Sequence, residues 1–205
     1  MYALVQDGSI TKYFSGNRGI TLGDIQYPKA IFSLWSKSER EAIGIYEVVF
    51  DNTNKKEEAY YNNTNQSFAF ADGVVTASYG SPTAKAIDDV LFTAQDEDRG
   101  LGTEGELHYK GLKNLHKETI KQQAAGILQD TDWYIVRKAD TGTAVPSAIT
   151  TYRAAVRTKS GQMETAIDNA ADVDALAALY EYVNTGTEEN RVMERPLGEW
   201  PELEV

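Results

Sequence analysis

Thr93-Ala94-Gln95-Asp96-Glu97-Asp98-Arg99-Gly100-Leu101-Gly102-Thr103-Glu104-Gly105-Glu106 separates two halves of the chain that differ in hydrophobic period. The stretch combines an acidic run with Gly100, Gly102 and Gly105 and almost no apolar residues, which is the composition of a flexible linker. Before it, apolar residues follow the period of two expected of strands. After it they follow the helical period of about 3.6. The reading is an α+β protein: a small N-terminal antiparallel β domain over 1–92, an acidic Gly-rich linker over 93–107, and a C-terminal α-helical domain with an extended tail over 108–205.

Upstream of the linker, Tyr2 to Gln6 and Ile10 to Phe14 flank Asp7-Gly8, a dipeptide that takes the positive φ angles of a two-residue hairpin turn. Ile45 to Phe50 reads as a strand, Ala59 to Phe70 as one or two more around an Asn-rich turn, and Val74 to Tyr79 as another after Asp72-Gly73. Ser38 and Glu41 have the spacing of a reciprocal helix cap, which places a short helix ending near Gly44.

Downstream, Leu112, Leu115, Thr119, Ile120, Ala124, Ile127 and Leu128 would share one face of a helix from about Lys110 to Gln129. A second helix should start near Pro146, run through Tyr152 and Val156, and break before Gly161. A third covers Val173 to Val183, with Asp172 as its cap and Gly186 just past its end. The Glu-rich tail, with Pro196 and Pro201, is expected to be extended and held by Trp200.

Composition excludes several chemistries. No cysteine is present, so disulfides and thiolate ligands are excluded, and His108 and His116 are the only histidines for a metal or an imidazole base. A net charge of -11 argues against a protein that tracks nucleic-acid phosphates. No apolar run reaches the ~18 residues of a membrane span, and the first residues lack a basic start, so an untargeted cytosolic product without a membrane partner is expected.

Gly100-Leu101-Gly102-Thr103-Glu104-Gly105 matches the G-x-G-x-x-G pattern of dinucleotide sites, but flanking carboxylates would repel a pyrophosphate and no apolar helix follows at once. Asp96 and Asp98 start a calcium-loop spacing that fails at Gly100 and Leu107. The two histidines lack a carboxylate pair at useful spacing, and no Gly-x-Ser-x-Gly elbow occurs. Asn62-Asn63-Thr64 and Asn65-Gln66-Ser67 have the form of glycosylation acceptors and are read as turn residues. No catalytic, cofactor or metal residue is assigned. The twelve tyrosines and three tryptophans instead supply the rigid amphipathic side chains favoured at protein interfaces.

Between Gln123 and Arg157, Ile127-Leu128, Thr131-Asp132-Trp133, Pro146 and Tyr152-Arg153-Ala154-Ala155-Val156-Arg157 form a helix, an Asp-Trp corner and a second helix. Asp132 is suited to cap backbone groups at the corner, and Trp133 to fill the space between two helices facing Tyr152 and Val156. Arg153 and Arg157, four apart, would form a basic stripe that either pairs with local carboxylates or holds a partner. This stretch resembles phage tail assembly chaperones and tail-fibre assembly proteins; Tyr2-Ala3-Leu4-Val5, Asp7-Gly8 and Tyr27-Pro28 resemble small domains of tail-fibre-associated proteins. Arg137 to Val145, and the helix beyond Gly161, depart from the usual short assembly proteins.

The resemblance implies a non-enzymatic tail-region protein that binds tail or tail-fibre proteins, as a virion component or an assembly chaperone. It would act in the host cytoplasm during assembly or stay in the virion tail. Trp133, Tyr134, Tyr152, Arg153 and Arg157 are the partner-binding candidates, and a second copy of the chain is the other partner considered. The alternatives are a capsid or neck decoration protein, and a small hydrolase acting on host surface polymer through acids such as Asp88 and Asp89.

Overall fold

Asp7 and Gly8 both adopt positive φ, 50° and 74°, and join β1 (Tyr2–Gln6) to β2 (Ser9–Phe14) with Gln6 facing Ser9, the expected tight hairpin. The computed structural model describes residues 1–203, so the last two residues of the expected tail lie outside the described residues. The chain is mixed α/β and divides at Thr83/Ala84 into two units.

In the first unit, β3 (Ile20–Leu22) and β4 (Ile25–Tyr27) form a second hairpin, followed by α1 (Ile31–Leu34), α2 (Lys37–Ala42) and β5 (Ile45–Asp51). β6 (Tyr61–Asn62), β7 (Ser67–Ala71) and β8 (Val74–Ser78) follow, with Asp72 and Gly73 repeating the positive-φ turn at 50° and 75°. The main sheet has the order β2-β1-β5-β8-β7. Its pairs are antiparallel except β5 with β8, which run parallel, so the expected purely antiparallel domain is corrected to a mixed sheet. β5 and β8 are separated by a long connection containing β7, long enough to return the chain to the same end of the sheet before β8 begins.

Alternation along the strands sends Ala3, Val5, Val48, Val75 and Ala77 to one face, where the sheet curves on itself and the rings of Tyr13 and Phe68 on its two edge strands lie 4.8 Å apart. Leu4 and Ile45 point the other way and are covered by Ile20, Ile31 and Phe32. Trp35 is anchored in this second cluster, so α2 starts directly after it. Its reciprocal cap is Ser36 with Glu39, two residues before the expected Ser38–Glu41 pair.

Past β9 (Thr83–Ala84), which lies at the junction, the second unit contains β10 (Val90–Leu91), α3 (Ala94–Asp98), β11 (Leu107–Tyr109), α4 (Leu112–Gln129), α5 (Asp132–Thr141), α6 (Ser147–Asp168), α7 (Val173–Ala178), β12 (Val183–Asn184) and β13 (Met193–Glu194). The expected linker over 93–107 is therefore corrected. Thr93 and Asp96 cap α3 reciprocally, Phe92 exchanges backbone bonds with Gly105 and Glu106, and a Cβ on Gly102 would come within 2.4 Å of the Phe92 ring. These glycines serve left-handed turns and a close approach rather than looseness.

α4 falls close to the expected helix and buries Leu112, Ile120 and Ala124 against α6. Gly161 does not break α6: burial of Met163 and Ile167 beyond it offsets the roughly 1 kcal/mol that a mid-helix glycine costs. Residues 137–141, in the stretch that departs from the usual short assembly proteins, complete α5, which stops at Gly142 with φ 73°. Asp172 caps α7 as anticipated, but the helix is shorter than 173–183 and the tail pairs β12 with β13 rather than staying wholly extended. Leu197 is buried and Trp200 Nε1 donates to Gln123 Oε1 at 3.2 Å, the hold expected of Trp200.

Candidate functional site

The corner between α4 and α5 is built around Arg153 of α6. Its Nη1 donates to the Leu128 carbonyl at 2.8 Å and to Thr131 Oγ1 at 2.7 Å, and Nη2 pairs with Asp132 Oδ1 at 2.8 Å. Thr131 Oγ1 in turn donates to the Leu128 carbonyl at 3.0 Å. One planar guanidinium thus satisfies the last turn of α4, the corner hydroxyl and the first residue of α5, a geometry that suits the fixed fork of arginine. Arg153 is buried, so the expected exposed stripe with Arg157 is corrected: the local-carboxylate alternative applies to Arg153, and Arg157 alone faces solvent.

α5, held at its start by that bond, buries none of its residues. Trp133 is 51% exposed, Ile135 43% and Val136 66%. Trp133 therefore does not fill the space between two helices. Its ring lies against Tyr134, centroids 4.1 Å apart, and the Arg137 guanidinium stacks over Trp133 at 4.6 Å and over Tyr134 at 5.5 Å. The stacked cation fixes the indole in place without covering the neighbouring apolar side chains. Tyr152 turns elsewhere, lining a shallow groove of about 400 Å³ with Thr151, Ala155, Pro201 and Leu203.

The structure thus keeps Trp133 and Tyr134 together, separates Tyr152 and Arg157 from them, and removes Arg153 from the surface. Ile135 and Val136 belong to the exposed face and were not anticipated. The signal was present as the contiguous apolar run Trp133-Tyr134-Ile135-Val136, which wraps around the helix so that Tyr134 turns inward with Arg137 while its neighbours stay exposed.

The two histidines occupy separate settings. His108 lies in β11 against the Phe92 ring, centroids 4.4 Å apart, and His116 in α4 shares a 2.7 Å hydrogen bond with the Tyr180 hydroxyl. Burial pulls the His116 pKa below its ordinary 6.5. Because the folded pKa is depressed, stability from the neutral ring is fully present above the unfolded value of 6.5 and is lost as pH falls below it. Thermal melts should show a His116-dependent decline of Tm between neutral pH and the carboxylate range that flattens in His116→Gln; an unchanged slope would refute this assignment.

Asp88 pairs with Lys113 at 3.4 Å, and Asp89 accepts from the Gly111 N–H at 2.8 Å and the Asn114 amide at 2.9 Å. The Gly111 N–H, then Asn114, hold the Asp89 carboxyl below the usual range, so it stays ionised at neutral pH. Both acids tie the 86–89 segment to the start of α4, where the Leu112 and Lys113 amides also bond the Ala86 and Ile87 carbonyls. Of the Asn residues read as turn formers, Asn63 clamps the Lys56 backbone and Asn65 takes φ 56°, whereas Asn62 lies in β6.

Among the described residues, no group of three or more His, Asp or Glu side chains is placed to hold a metal ion, and no helix is long and apolar enough to cross a membrane. Comparison with protein-family models, curated proteins and solved structures gives no match.

Proposed function

We propose that the chain is a non-enzymatic interaction protein of the bacteriophage tail region, and that it binds a tail or tail-fibre protein through the outer face of α5. The observation that carries this reading is a helix with Trp133, Ile135 and Val136 all exposed while its anchoring residues, Asp132 and Thr131, are fixed by a buried arginine. Trp133 and Val136, three apart, are neighbours on the helix surface, and exposed apolar side chains on a positioned element are what a protein partner covers. The partner class comes from the likeness of residues 123–157 to phage tail assembly chaperones and tail-fibre assembly proteins. In this chain the first arginine of the Tyr-Arg-x-x-x-Arg segment supports the corner, leaving α5 and the exposed Arg157 for the partner.

Trp133→Ala and Val136→Asp should each weaken capture of purified tail or tail-fibre proteins by about 30-fold, the effect of losing ~2 kcal/mol at an interface anchor. Val136→Asp should move stability by no more than about 0.5 kcal/mol because its side chain is two-thirds exposed, whereas Trp133→Ala also loses its stacking on Tyr134 and Arg137 and should cost about 1 kcal/mol. Capture by the full chain that is indifferent to both substitutions would remove α5 as the contact, and no capture at all would remove the tail assignment. Presence of the chain in purified particles distinguishes a virion component from a departing chaperone.

A further inference from the structure

In the first unit, the connection between β5 and β7 is closed on itself by side-chain bonds to backbone. Asn63 Oδ1 accepts from the Lys56 N–H at 2.9 Å, its amide donates to the Lys56 carbonyl at 2.8 Å, and Asn54 donates to the Tyr79 carbonyl at 3.1 Å. The closure forms an open recess of about 450 Å³ lined by Glu58, Tyr61, Asn62, Asn63, Thr64 and Tyr79. Two of the six are aromatic and the other four carry amide, hydroxyl or carboxylate groups, with no aliphatic side chain among them.

A lysine lies beside each ring. Lys56 Nζ lies 4.3 Å from the centroid of Tyr61 and donates to its hydroxyl at 3.2 Å, while Lys55 Nζ lies 5.8 Å from the centroid of Tyr79 and pairs with Glu58 at 2.9 Å. The Tyr61 ring is held by its hydroxyl and the Tyr79 backbone by Asn54, which lowers the ordering cost of binding.

We propose that this recess binds a neutral pyranose sugar, on the juxtaposition of two tyrosine rings with amide, hydroxyl and carboxylate side chains in a space of ligand size. A pyranose has an apolar C–H face and a rim of hydroxyls. Aromatic faces accommodate the first, and the exposed Asn62 side-chain amide, with one acceptor and two donor hydrogens, pairs with the second, while Asn63 is held by the Lys56 backbone. The recess lies within the volume range of small-molecule sites, but its lack of aliphatic lining disfavours a purely apolar ligand. An anionic ligand would meet Glu58, whose lysine is already paired to it, and a stacked nucleobase would bring phosphates towards a chain of net charge -11.

The test is retention of the full chain on an immobilised glycan array that spans neutral hexose, N-acetylhexosamine and deoxyhexose termini as well as uronic and sialic acids. Wild-type protein should be retained on at least one neutral class. Tyr79→Ala should weaken that retention about tenfold through loss of one stacked ring, and Tyr79→Phe should keep it. Asn62→Ala, at an exposed side chain whose loss leaves the fold intact, should weaken it as well, and titration of the retained sugar should shift the side-chain amide resonances of Asn62 and Asn63. No retention on any neutral glycan, retention on anionic glycans alone, or retention unaffected by both Tyr79→Ala and Asn62→Ala would overturn the proposal. Trp133→Ala should leave sugar retention unchanged, so failure here and failure of the α5 reading are separately visible.

Discussion

Arg153→Ala is expected to lower the stability of the second unit by about 3 kcal/mol, from the loss of charge-assisted hydrogen bonds and of the packing of the buried arginine stem. The guanidinium is buried, whereas its partner Asp132 keeps 55% of its side chain in solvent, so most of the loss arises at the two uncharged acceptors rather than at the carboxylate. The Leu128 carbonyl and Thr131 Oγ1 both lose their charged donor, although the carbonyl keeps the Thr131 N–H and hydroxyl, so the loss is that of the charge-assisted bonds and not of stranded acceptors. Arg153→Lys should recover less than half of the loss, since an ammonium cannot span three acceptors in the same plane. Chemical denaturation of the full chain measures both, and a loss for Arg153→Ala of under about 1 kcal/mol would show that the corner holds without it.

That substitution also separates support from recognition. If α5 is the partner-facing element, Arg153→Ala should release its first turn and weaken partner capture at temperatures where the rest of the protein is folded. Stabilising the corner by other means should restore capture. A direct contact between Arg153 and the partner would not be restored in this way.

The contrast between Asp7-Gly8 and Trp133 shows which parts of this molecule were legible in its sequence. The hairpin turns are decided by the local requirement for positive φ, which two adjacent residues satisfy whatever surrounds them. α4 was legible because it buries one face continuously, so its period is written into residue spacing. The parallel pairing of β5 and β8 was not, since alternation gives the faces of a strand but not the direction of its neighbour. The 93–106 stretch misled because glycine and carboxylate serve tight packing and capping as well as disorder; the Thr93–Asp96 spacing carried the capping signal inside what reads as a charge run. The chemistry at Arg153 depends on a contact 22 residues away in sequence, and an arginine beside a tyrosine on a helix gives no local sign of which way its guanidinium turns.

Glycine also sets the second large effect, because two glycines of the same region have opposite roles. Gly111 precedes α4 and is buried; a Cβ there would lie 2.2 Å from the Asp88 carbonyl carbon, backbone against backbone, with no flexible side chain to move aside. Gly111→Ala must therefore push the 86–89 segment away from the helix start, straining the Leu112 and Lys113 amide bonds, the Asp89 cap on the Gly111 N–H and the Lys113–Asp88 pair together. The expected loss is about 3 kcal/mol, the upper range for overpacking, because the displaced groups are the partners of otherwise unsatisfied helix-start amides. Gly126, further along the same helix, has open space where a Cβ would stand, with nothing within 4 Å, so Gly126→Ala should instead raise stability by about 1 kcal/mol through the higher helix propensity of alanine. Opposite signs in paired denaturation curves would establish that the 86–89 segment is a fixed part of the α4 start; a loss at Gly111 no larger than propensity alone predicts would show that the segment yields freely.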